Sequence, residues 1–211
     1  MEAIGNVPNE RAYKDKEGVY RKVPAEIVRV RNLRKYYGKV LALEIGHFDF
    51  DGGICVIRGP NGSGKSTFLG ILSGLIKPSD GEVKVFGKDP YRENIKGLIG
   101  FVGHKTFLFE DLSGYDNWRF FGDFNGDLAE ILGISHILKR PVRTYSRGER
   151  VKLSVGIELS REKPLLLLDE PFSPLDERSR LILSEILKGR NVIITAHGEI
   201  PIKPDLEYKL R

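Results

Sequence analysis

The stretch Gly59-Pro60-Asn61-Gly62-Ser63-Gly64-Lys65-Ser66-Thr67 places three glycines, a lysine and two adjacent hydroxyls at the spacing G-x-x-x-x-G-K-[ST]. That combination can hold a polyphosphate. Glycines at 59, 62 and 64 permit positive φ, so successive N–H groups can turn inward on an anion. Lys65 would reach the β- and γ-phosphates, and the Ser66 hydroxyl would ligate Mg²⁺. Asn61, Gly62, Ser63, Gly64 and Thr67 complete the nucleotide-binding loop, whose expected ligand is ATP or GTP. Such a loop must leave a strand and enter a helix. Ile54–Arg58 reads as the buried strand, and the apolar spacing of Phe68, Leu69, Ile71, Leu72, Leu75 and Ile76 predicts the helix. The helix N-terminus adds partial positive charge beneath the phosphates.

Further along, four leucines (Leu165–Leu168) run into Asp169 and Glu170. The run suits a strand buried on both faces of a parallel sheet. Beside the phosphate loop, Asp169 could hold the Mg²⁺ shell, while Glu170, pointing elsewhere, could polarise an attacking water. Upstream, Tyr145-Ser146-Arg147-Gly148-Glu149 opens an amphipathic stretch with Val151, Val155 and Leu159 on one face. Ser146 with Glu149 fits a capping box. Downstream come Ser173-Pro174-Leu175-Asp176, a helix marked by Leu181, Ile182, Ile186 and Leu187 and closed by Gly189, and a strand, Val192–Thr195, that delivers His197.

This ordered set, across about residues 26–198, resembles the ATP-binding-cassette (ABC) ATPase family. The resemblance implies an α/β phosphate-loop cassette with a mainly parallel core sheet, an antiparallel β-subdomain and a short helical subdomain at about 105–160. Residues 1–25 would be an N-terminal extension and 26–211 the ATPase domain. Gly81–Gly87 looks like the usual hairpin of the antiparallel subdomain. Tyr37 sits where the family stacks an aromatic ring on adenine. Family members work as head-to-tail pairs, with ATP between one phosphate loop and the other copy's signature, here Ser146 and Gly148. Glu170 would orient the water, and His197 would contact the γ-phosphate. The cofactors implied are ATP and Mg²⁺.

Two positions depart from the family pattern. His104 stands where the family has a glutamine touching Mg²⁺, so it is a candidate metal contact, since a neutral imidazole can accept one hydrogen bond and donate another. Arg147 replaces the signature's first glycine and could meet a triphosphate, Glu149 or another nearby acid. Within the short helical subdomain, Trp118, Phe120, Phe121 and Phe124 predict core, with an exposed part that could receive a helix from a membrane partner.

Composition sets the boundaries of this reading. The 211 residues are 40% apolar and 30% charged, as in a globular domain rather than a disordered chain. A net charge of +5 with acids spread throughout does not form a nucleic-acid stripe. One cysteine rules out an internal disulfide. No apolar run reaches the roughly 18 residues that span a bilayer, and no basic-then-apolar leader opens the chain. The expectation is a cytoplasmic ATPase subunit, peripheral to the membrane through membrane-spanning transporter subunits and similar to small exporter-type cassettes such as haem-exporter ATPases. The alternatives are a soluble ABC-type ATPase acting on nucleic acid or ribosomes, and a nucleotide-binding module with little hydrolysis.

Overall fold

The computed structural model describes residues 12–14, 20–22, 26–95 and 97–210. In chain order the strands are β1 (Ala12–Lys14), β2 (Tyr20–Lys22), β3 (Val28–Tyr37), β4 (Val40–Phe50), β5 (Ile54–Arg58), β6 (Asp80–Val85), β7 (Ile99–Val102), β8 (Leu165–Asp169), β9 (Val192–Ala196) and β10 (Leu206–Lys209). The helices are α1 (Lys65–Leu72), α2 (Gly114–Phe121), α3 (Gly126–Ile131), α4 (Arg147–Ser160) and α5 (Glu177–Leu187). The expected extension, 1–25, lies outside the described residues except for β1 and β2, which pair antiparallel.

Five parallel strands form the central sheet in the order β10-β5-β9-β8-β7. The Ile, Val and Leu runs of β5, β8 and β9 are buried along their lengths, as a sheet covered on both faces demands. Register matters most at their carboxyl ends. Ala196 lies opposite Arg58, and Thr195 lies opposite Asp169. The phosphate loop, His197 and Glu170 therefore leave adjacent strands at the same edge, where ligands bind in open α/β sheets.

A second sheet, β4-β3-β6, is antiparallel. In β3, Val28, Val30 and Leu33 are buried, whereas Arg29 and Arg34 are exposed, the alternation of a half-covered sheet. Its inner face packs with α1 and one face of the central sheet into a single core that includes Phe48, Phe68, Leu69 and Leu167. After β6, Phe86 (φ 52°) and Gly87 (φ 76°) make the tight turn that returns Lys88 to Val85. The other face of the central sheet packs on α4 and α5 through Val151, Val155, Leu159, Leu183 and Leu187. Cys55 lies within the core, where burial pushes its thiol up to about 12, an unreactive structural cysteine.

Two helices differ from the sequence expectation. α1 stops at Leu72 instead of continuing through Leu75 and Ile76. Gly74 takes a left-handed conformation (φ 77°), its N–H bonds to Ile71 O, and Ile76 N–H turns back to Gly70 O. Ile76 then packs on the core while Leu75 faces solvent, so the apolar spacing outlasts the helix. In α5 the buried leucines are Leu183 and Leu187, and Leu181 is exposed.

A third core holds α2, α3 and α4 together around Trp118, which is fully buried. Its indole N–H donates to Asp123 O and Ser160 Oγ, both at 3.1 Å. α4 comes close enough only because residue 156 is glycine. A Cβ there would lie 2.5 Å from the Trp118 ring.

Candidate functional site

The phosphate loop links β5 to α1. Gly62 (φ 83°) and Gly64 (φ 89°) have the positive φ that the spacing predicts. Gly59 does not: it is required for close approach, because a Cβ there would lie 2.9 Å from Leu210 O and collide with Ser63 Oγ. Gly64 caps α1 with no side chain, and no acid occupies the first helical turn. The helix thus offers unclaimed N–H donors and partial positive charge at its start. Lys65, only 5% exposed, lies back along the loop and donates to Gly59 O at 2.9 Å and Pro60 O at 3.0 Å. Ser63 Oγ is buried without a hydrogen-bond partner, and the space around Gly62 is open. An uncapped helix, an orphaned hydroxyl and a buried ammonium fit a polyphosphate.

Asp169 and Glu170 sit at the end of β8. Asp169 Oδ1 accepts from Thr195 Oγ1 at 2.6 Å, and the same hydroxyl accepts from Glu170 N–H at 2.9 Å. One buried threonine on β9 thereby fixes both acidic residues. Glu170 takes φ 52°, unusual for a side chain with a Cβ, at the point where the chain leaves the sheet. Its Oε1 lies 2.7 Å from His197 Nε2. A carboxylate can only accept, so Nε2 carries the proton of this bond. Both residues face a cavity of about 420 Å³ whose walls include Ser173, Arg180, Thr195 and Glu199. For a divalent cation, the Ser66 hydroxyl and Asp169 carboxylate provide hard oxygens, the donor type Mg²⁺ prefers.

Thr195 escaped the sequence reading, since a β-branched residue in a strand ordinarily signals only strand. The available signal was its position as the one hydroxyl in an otherwise apolar strand that ends at the carboxyl edge. Thr195→Val keeps the shape and removes the hydroxyl, leaving Asp169 Oδ1 and the Glu170 N–H without this partner. We expect a stability loss of about 2 kcal/mol in urea denaturation, with turnover falling further than folding accounts for.

The remaining candidates lie on three other segments. Tyr37, 51% exposed, stands at the end of β3 with Lys35 Nζ 5.0 Å from its ring centroid. Next to it, β4 runs past the phosphate loop: a Cβ at Gly64 would lie 2.6 Å from Ala42 O. Ser146 caps α4 in a complete capping box with Glu149. A Cβ at Gly148 would lie 2.7 Å from Pro174 O, so the start of α4 abuts the loop that follows Glu170. Arg147 does not pair with Glu149. Its Nη2 lies 3.0 Å from His104 Nδ1 and 3.2 Å from Nε2, joining the two departures from the family pattern in one contact.

Away from these groups, a small cleft of about 70 Å³ opens between β7 and α4, lined by Phe101, Phe107, Leu108, Phe121, Ser154 and Glu158. Phe107 and Phe120 are each 68% exposed nearby. Burial pushes the Glu158 carboxyl above its ordinary value of 4.5, against the pull of Arg161 and Lys163. The unfolded chain therefore ionises first, and the folded state loses stability as pH rises through that interval. Glu158→Gln should raise the midpoint of unfolding at pH 7 to 8, with the gain disappearing below pH 4. Urea titrations across that range measure it.

The fold and site define an α/β nucleoside-triphosphate-binding protein, and comparison with known proteins gives the family. The sequence profile described as "ABC transporter" matches residues 48–173. The lantibiotic transport ATP-binding protein SrtF of Streptococcus pyogenes is 32% identical over 184 residues, covering 81% of this chain and 80% of that protein. The cytochrome c biogenesis ATP-binding export protein CcmA of Nitrobacter winogradskyi is 32% identical over 168 residues, 76% of this chain and 80% of that protein. The molybdate/tungstate import ATP-binding protein WtpC of Archaeoglobus fulgidus is 39% identical over 154 residues, 66% and 63% of the two chains. Among solved structures, a nucleotide-free ATP-binding cassette superposes with a TM-score of 0.71 at 20% identity, covering 88% of this chain and 87% of that one. The chain belongs to the ABC transporter family, as an ATP-binding cassette with the ATPase activity of that family.

Proposed function

We propose that this cassette hydrolyses ATP between two copies, or between one copy and a paired cassette, to drive membrane-spanning transporter subunits from the cytoplasmic face. The observation that carries the reading is the Glu170–His197 pair, at 2.7 Å, one strand from an uncapped helix that bears Lys65. In this reading Asn61 to Thr67 wrap the phosphates, and Lys65 neutralises their charge. Tyr37 stacks on adenine beside the exposed hairpin end. Ser66 and Asp169 hold Mg²⁺, which offsets charge on the phosphate oxygens when bound; His104, beside Arg147, is a further candidate contact. Glu170 accepts the proton of the attacking water, and with ATP bound the His197 Nε2–H turns from Glu170 to the oxygens of the transferred group and stabilises them.

Pairing supplies what one copy lacks. Ser146 and Gly148 at the start of α4 offer a hydroxyl and backbone N–H groups to the phosphates held by the opposite copy. A dimeric cassette bound to ADP and Pi shares this fold, with a TM-score of 0.68 at 22% identity over 82% of this chain and 88% of that one. The cleft beside Phe107 and Phe121 receives a helix of the membrane subunit, which covers those rings and offers donors to Ser154 and Glu158. In this division of labour, 1–25 is an extension and 26–211 the ATPase domain, with its helical part at about 105–160. Relatives of this chain serve import and export alike. Cargo and direction then belong to the membrane subunits.

The test is affinity capture of the tagged chain from detergent-solubilised membranes, followed by ATPase assays. A co-purifying integral membrane protein that stimulates turnover is expected. Stimulation by nucleic acid or ribosomes, with none by membrane subunits, would replace this reading with that of a soluble ABC ATPase.

A further inference from the structure

The loop after β9 carries His197 and is held by two arginines that reach it from different elements. Arg58 is the last residue of β5 and directly precedes the phosphate loop. Its Nη1 donates to Gly198 O at 2.6 Å, while its Nε pairs with Glu207 Oε2 on β10 at 3.0 Å. Arg180 lies in the first half of α5, and its Nη2 donates to Glu199 O at 2.5 Å. The gripped carbonyls are one and two residues beyond His197. Among the described residues, neither accepts a backbone hydrogen bond. Two side chains thus do here what a strand ladder does for the preceding residues.

The chemistry suits the task. A guanidinium is permanently charged and presents several donors in a fixed fork, so Arg58 can hold Glu207 and Gly198 together, which an ammonium on a flexible stem cannot do with the same geometry. Arg180 spends one nitrogen on Glu199, and its buried Nε has no partner. The Glu199 contact is the hydrogen bond that holds its guanidinium at the His197 loop.

We propose that Arg58 and Arg180 are positioning residues for His197. They clamp its loop from both sides so that Nε2 meets Glu170, and they tie that geometry to two moving parts. Through Arg58, a shift of the phosphate loop at Gly59 is passed to Gly198. Through Arg180 and the helix capped by Asp176, a shift of the Ser173–Asp176 segment is passed to Glu199. His197 is thus placed only when both segments are. The inference rests on the reading of Glu170 and His197 as the hydrolytic pair.

The test is a set of steady-state ATPase and nucleotide-titration measurements on Arg58→Met, Arg180→Met and Arg180→Lys, each alone and combined with His197→Ala. Each methionine variant is expected to lower kcat about tenfold, with KM and nucleotide affinity within about twofold. Arg180→Lys should recover part of the loss, since one donor suffices at Glu199. In the His197→Ala background, the methionine variants should cost nothing further, because a residue that acts through His197 has nothing left to position. Losses that multiply in that background, or that fall on KM, overturn the clamp alone. If His197→Ala itself leaves kcat unchanged, the hydrolytic pair fails and the clamp with it. Arg180 is on a half-exposed helix face, so its variants carry the test even if Arg58→Met does not fold.

Discussion

Glu170→Gln should lower ATP turnover by about 10²–10⁴-fold, the usual contribution of a general base, while nucleotide affinity is retained. The amide keeps the shape of the carboxylate, and its oxygen can still accept from His197 Nε2, so the bond recorded at 2.7 Å has a neutral substitute. What disappears is a group able to take a proton from water. With hydrolysis stopped and both phosphate contacts intact, two copies should remain closed on ATP and elute as a dimer in size-exclusion chromatography. A variant with turnover within about threefold of the parent would remove Glu170 from the chemistry. One that binds ATP and stays monomeric at saturation would remove the head-to-tail pair.

Lys65→Ala should weaken ATP binding by about 10²–10⁴-fold, since two charge-assisted hydrogen bonds at about 1.5–3 kcal/mol each are lost. The ammonium already faces the loop carbonyls of Gly59 and Pro60, and therefore stands above the first turn of α1 before any phosphate contact is made. Lys65→Arg should fail as well, because the planar fork cannot occupy a slot shaped around a point charge. Isothermal titration calorimetry with ATP measures both. Unchanged affinity in the alanine variant would mean that the loop binds phosphate by its backbone alone.

Much of the site is legible from spacing because its parts hang on strand ends. β5 and β8 are short apolar runs with a sharp change of residue type at the carboxyl end, and that change marks where the chain enters the site. The resemblance to the family then orders the pieces along the chain. The rest depends on contacts between segments remote in sequence. Thr195 reads as an ordinary strand former until register sets it opposite Asp169. Arg58 reads only as the end of a buried strand and Arg180 gives no signal, because a bond to a backbone carbonyl leaves no mark in composition. The Arg147–His104 contact joins a cation to an imidazole 43 residues away, a pairing that charge patterns do not suggest. In α1, periodicity ran on past Gly74 because Ile76 is buried by a turn rather than by a helix.

The left-handed backbone at Glu170 sets folding against chemistry at a single residue. A Cβ in that conformation costs about 1 kcal/mol, which glycine, and to a lesser degree asparagine, would not incur. A screen that rewards heat tolerance without demanding turnover would then drift toward glycine or asparagine at 170. The sturdiest descendants of this chain would be its catalytically dead ones.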